Sequence, residues 1–287
     1  MTILVVGGDS RLAREFVASV VDVDIISTTR RHDVYDKIFL DLSDIESFII
    51  PNEIKSAVVV GGVTSYNECV DNYSYAYHVN CVSIPNLIKK LLLKGIHTCF
   101  VSTNTVFKYR SRVPTERDTP NPSFAYAEMK YETELKSRQI AKNLNMESLL
   151  SILRMTKNIS NDTKPFDMWI NNFKEMKEIT AFTDLYFSPI RFLDAVNMIQ
   201  VIIKNRLHGI FHLSGERDIS YSDFAINLAE YLGIGEEIIR PVKSSDVGVN
   251  LVYNHNITAL SMRYTTIDTG LKEIQLIDVY KYIKSFL

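Results

Sequence analysis

Three residue types at two places in this chain suit proton transfer to a carbonyl. The segment Ser102-Thr103-Asn104-Thr105-Val106-Phe107 follows the apolar run His97-Thr98-Cys99-Phe100-Val101, which predicts a buried strand ending in a hydroxyl. Further on, Tyr126-Ala127-Glu128-Met129-Lys130 opens a long helical pattern just after Pro120-Asn121-Pro122. Tyr126 and Lys130 are four residues apart and so share one helix face. A strand-end hydroxyl, a tyrosine and a lysine are what a carbonyl reductase needs to move one proton while a cofactor moves a hydride. By position the hydroxyl is Thr103, with Ser102 as the fallback. The alternative role for Thr103 is to satisfy the backbone at the strand end.

The Tyr-x-x-x-Lys spacing is weak by itself, and a second copy occurs at Tyr280-Lys281-Tyr282-Ile283-Lys284. That copy lies in an amphipathic pattern (Ile274, Leu276, Ile277, Val279, Tyr280, Ile283) and reads as an ordinary packing helix. The copy at Tyr126 differs in its context, a helix-start signal preceded by a Ser/Thr-rich strand end.

These residues need a scaffold, and the pattern predicts an α/β one. Short β-branched runs at residues 2–6, 23–26, 37–40, 57–60, 98–101 and 149–153 alternate with helical patterns at 12–20, 73–93 and 124–141. Strands without strict alternation, separated by helices, imply a parallel sheet covered on both faces. The later part is less regular, with helical patterns near 166–176, 192–204, 221–232 and 276–286 and a short strand at 210–213. The expected organisation is a Rossmann-type doubly wound sheet over residues 1–157. Residues 158–287 mainly form a smaller, interleaved substrate lobe, with elements near 188–215 returning to the first domain.

The first strand runs into Gly7-Gly8-Asp9-Ser10-Arg11-Leu12-Ala13. A strand, a Gly-rich turn and a helix start form the geometry that holds a dinucleotide pyrophosphate, here through Gly7, Ser10, Arg11 and Leu12. A complete motif would carry glycine where Ser10 and Ala13 stand. Ala13 still allows close packing of helix on strand. Ser10 puts a side chain where backbone and phosphate approach, although its hydroxyl can donate to a phosphate oxygen. A simple tight turn is the other reading. The second strand ends in Ser27-Thr28-Thr29-Arg30-Arg31, without the acid that binds a ribose 2′-hydroxyl. Thr28, Arg30 and Arg31 can instead hold a 2′-phosphate, so NADPH is expected in preference to NADH. The alternative is a solvated basic loop.

Composition narrows the class. The 287 residues are 46% hydrophobic, with a net charge of −2 and acids and bases interspersed, so neither a nucleic-acid nor a membrane partner is expected. Three cysteines, Cys69, Cys81 and Cys99, lack metal-ligand spacing and read as buried free thiols of a cytoplasmic protein. No His/Asp/Glu cluster has metal-site spacing, so no metal is expected. The N-terminus has no basic region before its short apolar run, so no signal peptide is expected. No apolar stretch approaches the ~20 residues that span a bilayer.

With these residues in view, the chain resembles the extended short-chain dehydrogenase/reductase family, and within it the dTDP-4-dehydrorhamnose reductase group of nucleotide-sugar reductases. Ile3-Leu4-Val5-Val6-Gly7 resembles the first strand. Phe39-Leu40-Asp41-Leu42 is similar to the segment whose acid contacts adenine, and Gly61-Gly62-Val63-Thr64 to the segment under the cofactor. His78-Val79-Asn80 is similar to the helix motif with a structural Asn, which here either ties that helix to a strand or is an ordinary amide. Leu153-Arg154, Ser188-Pro189-Ile190 and Gly209-Ile210-Phe211-His212-Leu213-Ser214-Gly215 resemble later family segments. Asn104 and Thr105 replace an acid and an aromatic of the family's Ser-Thr-Asp-Tyr-Val-Phe, which bears on the substrate.

The resemblance implies a mechanism. Nicotinamide gives hydride to a carbonyl carbon, Tyr126 donates the proton and Thr103 holds the carbonyl oxygen. Lys130 hydrogen-bonds the nicotinamide ribose and, with the oxidised nicotinamide, lowers the tyrosine pKa from its usual ~10. The implied function is NADPH-dependent reduction of a 4-keto-6-deoxy nucleotide sugar for surface polysaccharide. Asn104, Arg154 and Trp169 are candidate substrate contacts; Arg154 has anchoring of the sheet edge as its alternative and Trp169 a place in the core. His78 and His212 are expected to be structural. An epimerase, a dehydratase or a non-catalytic regulatory subunit are the competing functions, and a homodimer is left open.

Overall fold

The computed structural model describes residues 1–108, 112–249 and 256–287. The chain begins with β1 (Thr2–Val6), α1 (Arg11–Ser19), β2 (Asp24–Thr29), β3 (Ile38–Phe39), β4 (Ile54–Val59) and α2 (Tyr66–Asp71). Then come α3 (Tyr73–Tyr77), a π-helical stretch at His78–Ser83, α4 (Ile84–Leu93), β5 (His97–Thr103), α5 (Ala125–Asn143) and β6 (Leu150–Met155). The rest holds β7 (Lys157–Ile159), α6 (Phe166–Glu175), β8 (Ile179–Phe182), β9 (Tyr186–Phe187), β10 (Pro189–Arg191), α7 (Phe192–Lys204) and β11 (Gly209–Leu213). It ends with β12 (Ile219–Ser220), α8 (Tyr221–Leu232), β13 (Ile239–Val242), α9 (Arg263–Thr269) and α10 (Leu276–Lys284).

Seven strands form one sheet in the order β11-β6-β5-β4-β1-β2-β3, every neighbouring pair parallel. This is the doubly wound α/β sheet expected from the alternating pattern. Its strands are apolar on both faces because both are covered. Ile3, Val5, Cys99 and Val101 pack on one face with α1 and α7, while Leu4, Val6, Phe100 and Ile152 pack on the other with α4 and α5. A third apolar cluster, built on α6, α8 and α10, lies in the later part of the chain. No helix among the described residues is long and apolar enough to cross a membrane.

The helical pattern at 73–93 is interrupted by the π-helical stretch, and the cause is local. Pro85 near the start of α4 has no N–H to give the carbonyl of Cys81 four residues earlier. Lys136 Nζ of α5 donates to that carbonyl instead, at 2.9 Å. Thr133 Oγ1 donates to the Asn80 carbonyl at 2.8 Å.

Candidate active site

The strand order reverses between β4 and β1, so the crevice beyond their carboxyl ends is where a ligand belongs. Gly7 follows β1 with φ +87°, and a Cβ there would stand 2.5 Å from the Gly61 Cα of the loop after β4. Two backbones thus approach as only glycines permit. The Gly7 N–H donates to Thr28 Oγ1 at 3.0 Å, which ties the turn to the end of β2. Gly62 has φ +140°, and a Cβ there would meet Asn80 Oδ1 at 2.7 Å. Asn80 itself is buried, accepting from the Val63 N–H and donating to the Val63 carbonyl, each at 2.9 Å. Asn80 therefore ties its helix to the loop after β4.

The result is a cleft of about 230 Å³ lined by Gly7, Ser10, Thr28, Arg30, Asp41, Leu42, Gly61, Gly62 and Val63 of the expected cofactor residues. The groups present fit a dinucleotide: a glycine cradle that a Cβ would fill, and a helix start beside it. Ser10 is the N-cap of α1, its Oγ accepting from the Ala13 N–H at 3.3 Å, which leaves its hydroxyl proton available to a ligand. The backbone N–H groups of Arg11 and Leu12 are in the first turn, where no intrahelical acceptor exists. Their side chains point elsewhere. Leu12 is in the core, and Arg11 pairs with Glu15 and Asp162 at 2.6 and 2.7 Å. Asp41 lines the cleft, its carboxyl held below the usual range by the Ser43 N–H against the opposing effect of burial.

Thr103 closes β5, and its hydroxyl lies near enough to the Tyr126 phenol to oppose the rise that burial causes in the phenol's pKa. It also lies 3.1 Å from Thr105 Oγ1 and 3.2 Å from the Thr105 N–H that it accepts. Ser102 points the other way, as strand alternation requires, and donates to Glu134 Oε1 of α5 at 2.5 Å. Thr103 is thus the hydroxyl that meets the tyrosine. Lys130 is one turn along α5 from Tyr126, almost fully buried, with Nζ donating to the Val101 carbonyl at 2.6 Å and lying 4.1 Å from the Phe100 ring centre.

Burial pushes the Tyr126 phenol far above its ordinary value, Tyr66 and Cys69 add to this, and the Thr103 hydroxyl opposes it. In the protein alone the Lys130 ammonium donates to the Val101 carbonyl. Burial in turn pulls Lys130 down to about 8, against the opposing charge of Glu134.

Of the candidate substrate contacts, Arg154 and Trp169 take the second of the two places that the sequence left open for each, and Asn104 remains beside Thr103. Arg154 is 1% exposed and bound by Glu134, so it anchors the sheet rather than facing the cleft beside Tyr126. Trp169 is 1% exposed, packed edge-on against Phe166 and Tyr221 in the third apolar cluster. Asn104 stays next to Thr103, but its Nδ2 donates to the Thr258 carbonyl at 2.7 Å. His212 is buried as expected, with Nδ1 at 3.0 Å from the Ser261 carbonyl. Tyr280 of the second Tyr-x-x-x-Lys copy is buried in the same third cluster, a packing residue.

The sequence reading missed Tyr66, whose ring centre is 5.2 Å from that of Tyr126. Its signal was its place two residues beyond the Gly61-Gly62-Val63-Thr64 segment. It also missed Asp9 and Lys37, joined across the phosphate turn at 2.9 Å. Two larger clefts, of about 460 and 760 Å³, lie beside the start of β11 at Gly209 and Ile210, and neither is lined by Thr103 or Tyr126.

Comparison with known proteins agrees with this geometry. The chain matches the family described as RmlD substrate binding domain over residues 1–259. No curated protein sequence matches it. Among solved structures it is similar to a dTDP-4-dehydrorhamnose reductase from Yersinia enterocolitica, at 21% identity and TM-score 0.82, covering 100% of this chain and 99% of that one. It is similar to one from Bacillus anthracis in complex with NADP, at 18% identity and TM-score 0.80, covering 99% and 98%. It is also similar to a dTDP-glucose 4,6-dehydratase from Streptomyces venezuelae with NAD and TYD bound, at 15% identity and TM-score 0.77, covering 99% and 96%. The chain belongs to the RmlD substrate binding domain family, within the extended short-chain dehydrogenase/reductases that its motifs resemble, a group of NAD(P)-dependent oxidoreductases.

Proposed function

We propose that this chain is an NADPH-dependent reductase of a 4-keto-6-deoxy nucleotide sugar that serves surface polysaccharide synthesis. The observation that carries this reading is the Thr103 hydroxyl set against the Tyr126 phenol at the end of β5, with Lys130 one helical turn away. The Bacillus anthracis reductase with NADP supports the choice of cofactor class. The dehydratase with NAD and TYD supports a thymidine-nucleotide sugar as the kind of substrate.

Bound nicotinamide supplies the hydride that goes to the carbonyl carbon. Tyr126, kept protonated by its raised pKa, donates its phenolic proton to the carbonyl oxygen as negative charge develops there. Thr103 donates to the same oxygen and orients it toward Tyr126. Lys130 would hydrogen-bond the nicotinamide ribose, and its charge would favour the tyrosinate left behind. Gly7, Gly61 and Gly62 let backbone approach the dinucleotide. Ser10 and the first-turn N–H groups would take the pyrophosphate, Asp41 and Leu42 the adenine end, and Thr28, Arg30 and Arg31 the 2′-phosphate. Asn104 meets the sugar beside Thr103. Residues 158–287 mainly form the substrate lobe, and the three buried thiols suit the cytoplasm.

The test is turnover. Purified protein is mixed with NADPH and a dTDP-4-keto-6-deoxyhexose, and loss of NADPH absorbance is followed with sugar analysis. One NADPH consumed per sugar reduced is expected. Epimerised sugar with the cofactor retained would overturn the reaction type. NADPH binding without turnover, together with a tight complex with another enzyme, would overturn the catalytic reading.

A further inference from the structure

No acid stands at the end of β2, yet one reaches that place from the turn after β1. Asp9 Oδ2 accepts from Thr29 Oγ1 at 2.7 Å, and Asp9 Oδ1 accepts from Lys37 Nζ at 2.9 Å. Lys37 Nζ also donates to the Gly8 carbonyl at 3.0 Å. Arg31 reaches the same carboxylate less closely, at 3.5 Å. Exposure separates the two cations: the Lys37 side chain is 16% exposed and that of Arg31 61%. Arg30 is turned toward the Tyr75 hydroxyl at 3.1 Å. The carboxylate lies in the cleft beside Thr28, Thr29 and Arg30.

In this fold the adenosine ribose meets the end of the second strand, where a carboxylate accepts from a 2′-hydroxyl and a cation accommodates a 2′-phosphate. Here a carboxylate stands at that place, and a well-held lysine bonds to it from beside the cleft. We infer that Asp9 and Lys37 set the discrimination between the two dinucleotides, Asp9 favouring the 2′-hydroxyl of NADH and Lys37 the 2′-phosphate of NADPH. The inference rests on the reading of the cleft as a dinucleotide site. Asp9 is charged when it does so: burial pushes its carboxyl up, but the bonds from Thr29 and Lys37 and the charges of Lys37 and Arg31 hold it below the usual range. The preference for NADPH is then smaller than the basic Arg30-Arg31 pair alone would produce, because a carboxylate stands among the cations. Lys37, fixed and little exposed, contributes more to it than Arg31, whose charge is screened by solvent.

The test measures the dissociation constants of NADPH and NADH, by titration of the nicotinamide fluorescence, for the unmodified protein, Asp9→Asn, Lys37→Met and Arg31→Ala, at two salt concentrations. Circular dichroism establishes that each variant is folded. Asp9→Asn should raise the ratio of NADPH to NADH affinity about tenfold, and Lys37→Met should lower it by about the same factor. Arg31→Ala should move it less than Lys37→Met does. Asp9→Asn and Lys37→Met changing the two affinities equally would overturn the inference and leave the dinucleotide site intact. An unmodified protein that binds neither dinucleotide would overturn the reading of the cleft, and this inference with it.

Discussion

Arg154 of β6 and Glu134 of α5 form an ion pair in which both side chains are 1% exposed, closed by a 2.6 Å contact between Nη2 and Oε2. Arg154 Nε shares the carboxylate, at 3.1 and 3.2 Å from its two oxygens, and Ser102 donates to Oε1. The pair joins β6, α5 and the residue before Thr103. Removing one partner leaves a buried charge unmatched. Arg154→Met should cost about 3–5 kcal/mol by chemical denaturation, and the double variant Glu134→Leu/Arg154→Met should recover most of it. An additive double variant would show that the pair is not what holds these elements.

Tyr126 and Thr103 have separable roles. Tyr126→Phe keeps the ring against Tyr66 and removes the proton donor, so cofactor affinity should stay within a few-fold. Turnover should fall by about 10²–10⁴-fold. Thr103→Val should lower turnover less, by about 10–10²-fold, because one donor to the oxygen remains. Undiminished turnover in Tyr126→Phe would remove that residue from the chemistry.

The Lys130 ammonium has a pKa pulled down to about 8, against a usual value of 10.5. Between these values the unfolded chain holds more protons than the folded one, so this residue's contribution to stability rises with pH across that window. Below about 8 both states are charged and the cost of burying the ammonium is fully present. Cofactor affinity should run the other way. It should fall as pH rises past about 8, where the donor to the ribose loses its charge and weakens. Lys130→Met should flatten both curves, read from a pH series of thermal melts and of NADPH titrations.

Ser10 is the departure from the glycine pattern, and its Oγ caps α1. Ser10→Gly should change stability by only a few tenths of a kcal/mol, whereas Ser10→Ala should lose about 1 kcal/mol. If the serine hydroxyl also serves the pyrophosphate, Ser10→Ala should weaken NADPH several-fold. Unchanged affinity would restrict Ser10 to the cap.

The order of elements was readable because both faces of the sheet are buried, and Ile3-Leu4-Val5-Val6 shows that as an unbroken apolar run. The placement of Thr103 at a strand end, and of Tyr126 and Lys130 one turn apart on α5, was readable for a related reason, since one strand end and one helix face are local patterns. Contacts between distant residues were not. Nothing in the sequence near Arg154 names Glu134, twenty residues away, as its partner. The pairing of Asp9 with Lys37 crosses a whole strand and helix. Trp169 illustrates a different limit: an aromatic on an amphipathic helix looks the same whether it faces a core or a cleft, and here Phe166 and Tyr221 enclose it. The interruption at residues 78–83 depends on Pro85, whose effect on a long helix the periodicity conceals.

The strand that completes the sheet, β11, pairs with β6 across more than fifty residues of intervening chain. During synthesis on the ribosome, β6 therefore emerges with one edge and much of one face bare, and stays so until α7 and β11 follow. A nascent chain stopped at that stage carries an open strand edge of the kind that recruits other chains. Emergence of β11, rather than of the first half of the chain, is the step at which the open edge of β6 is covered.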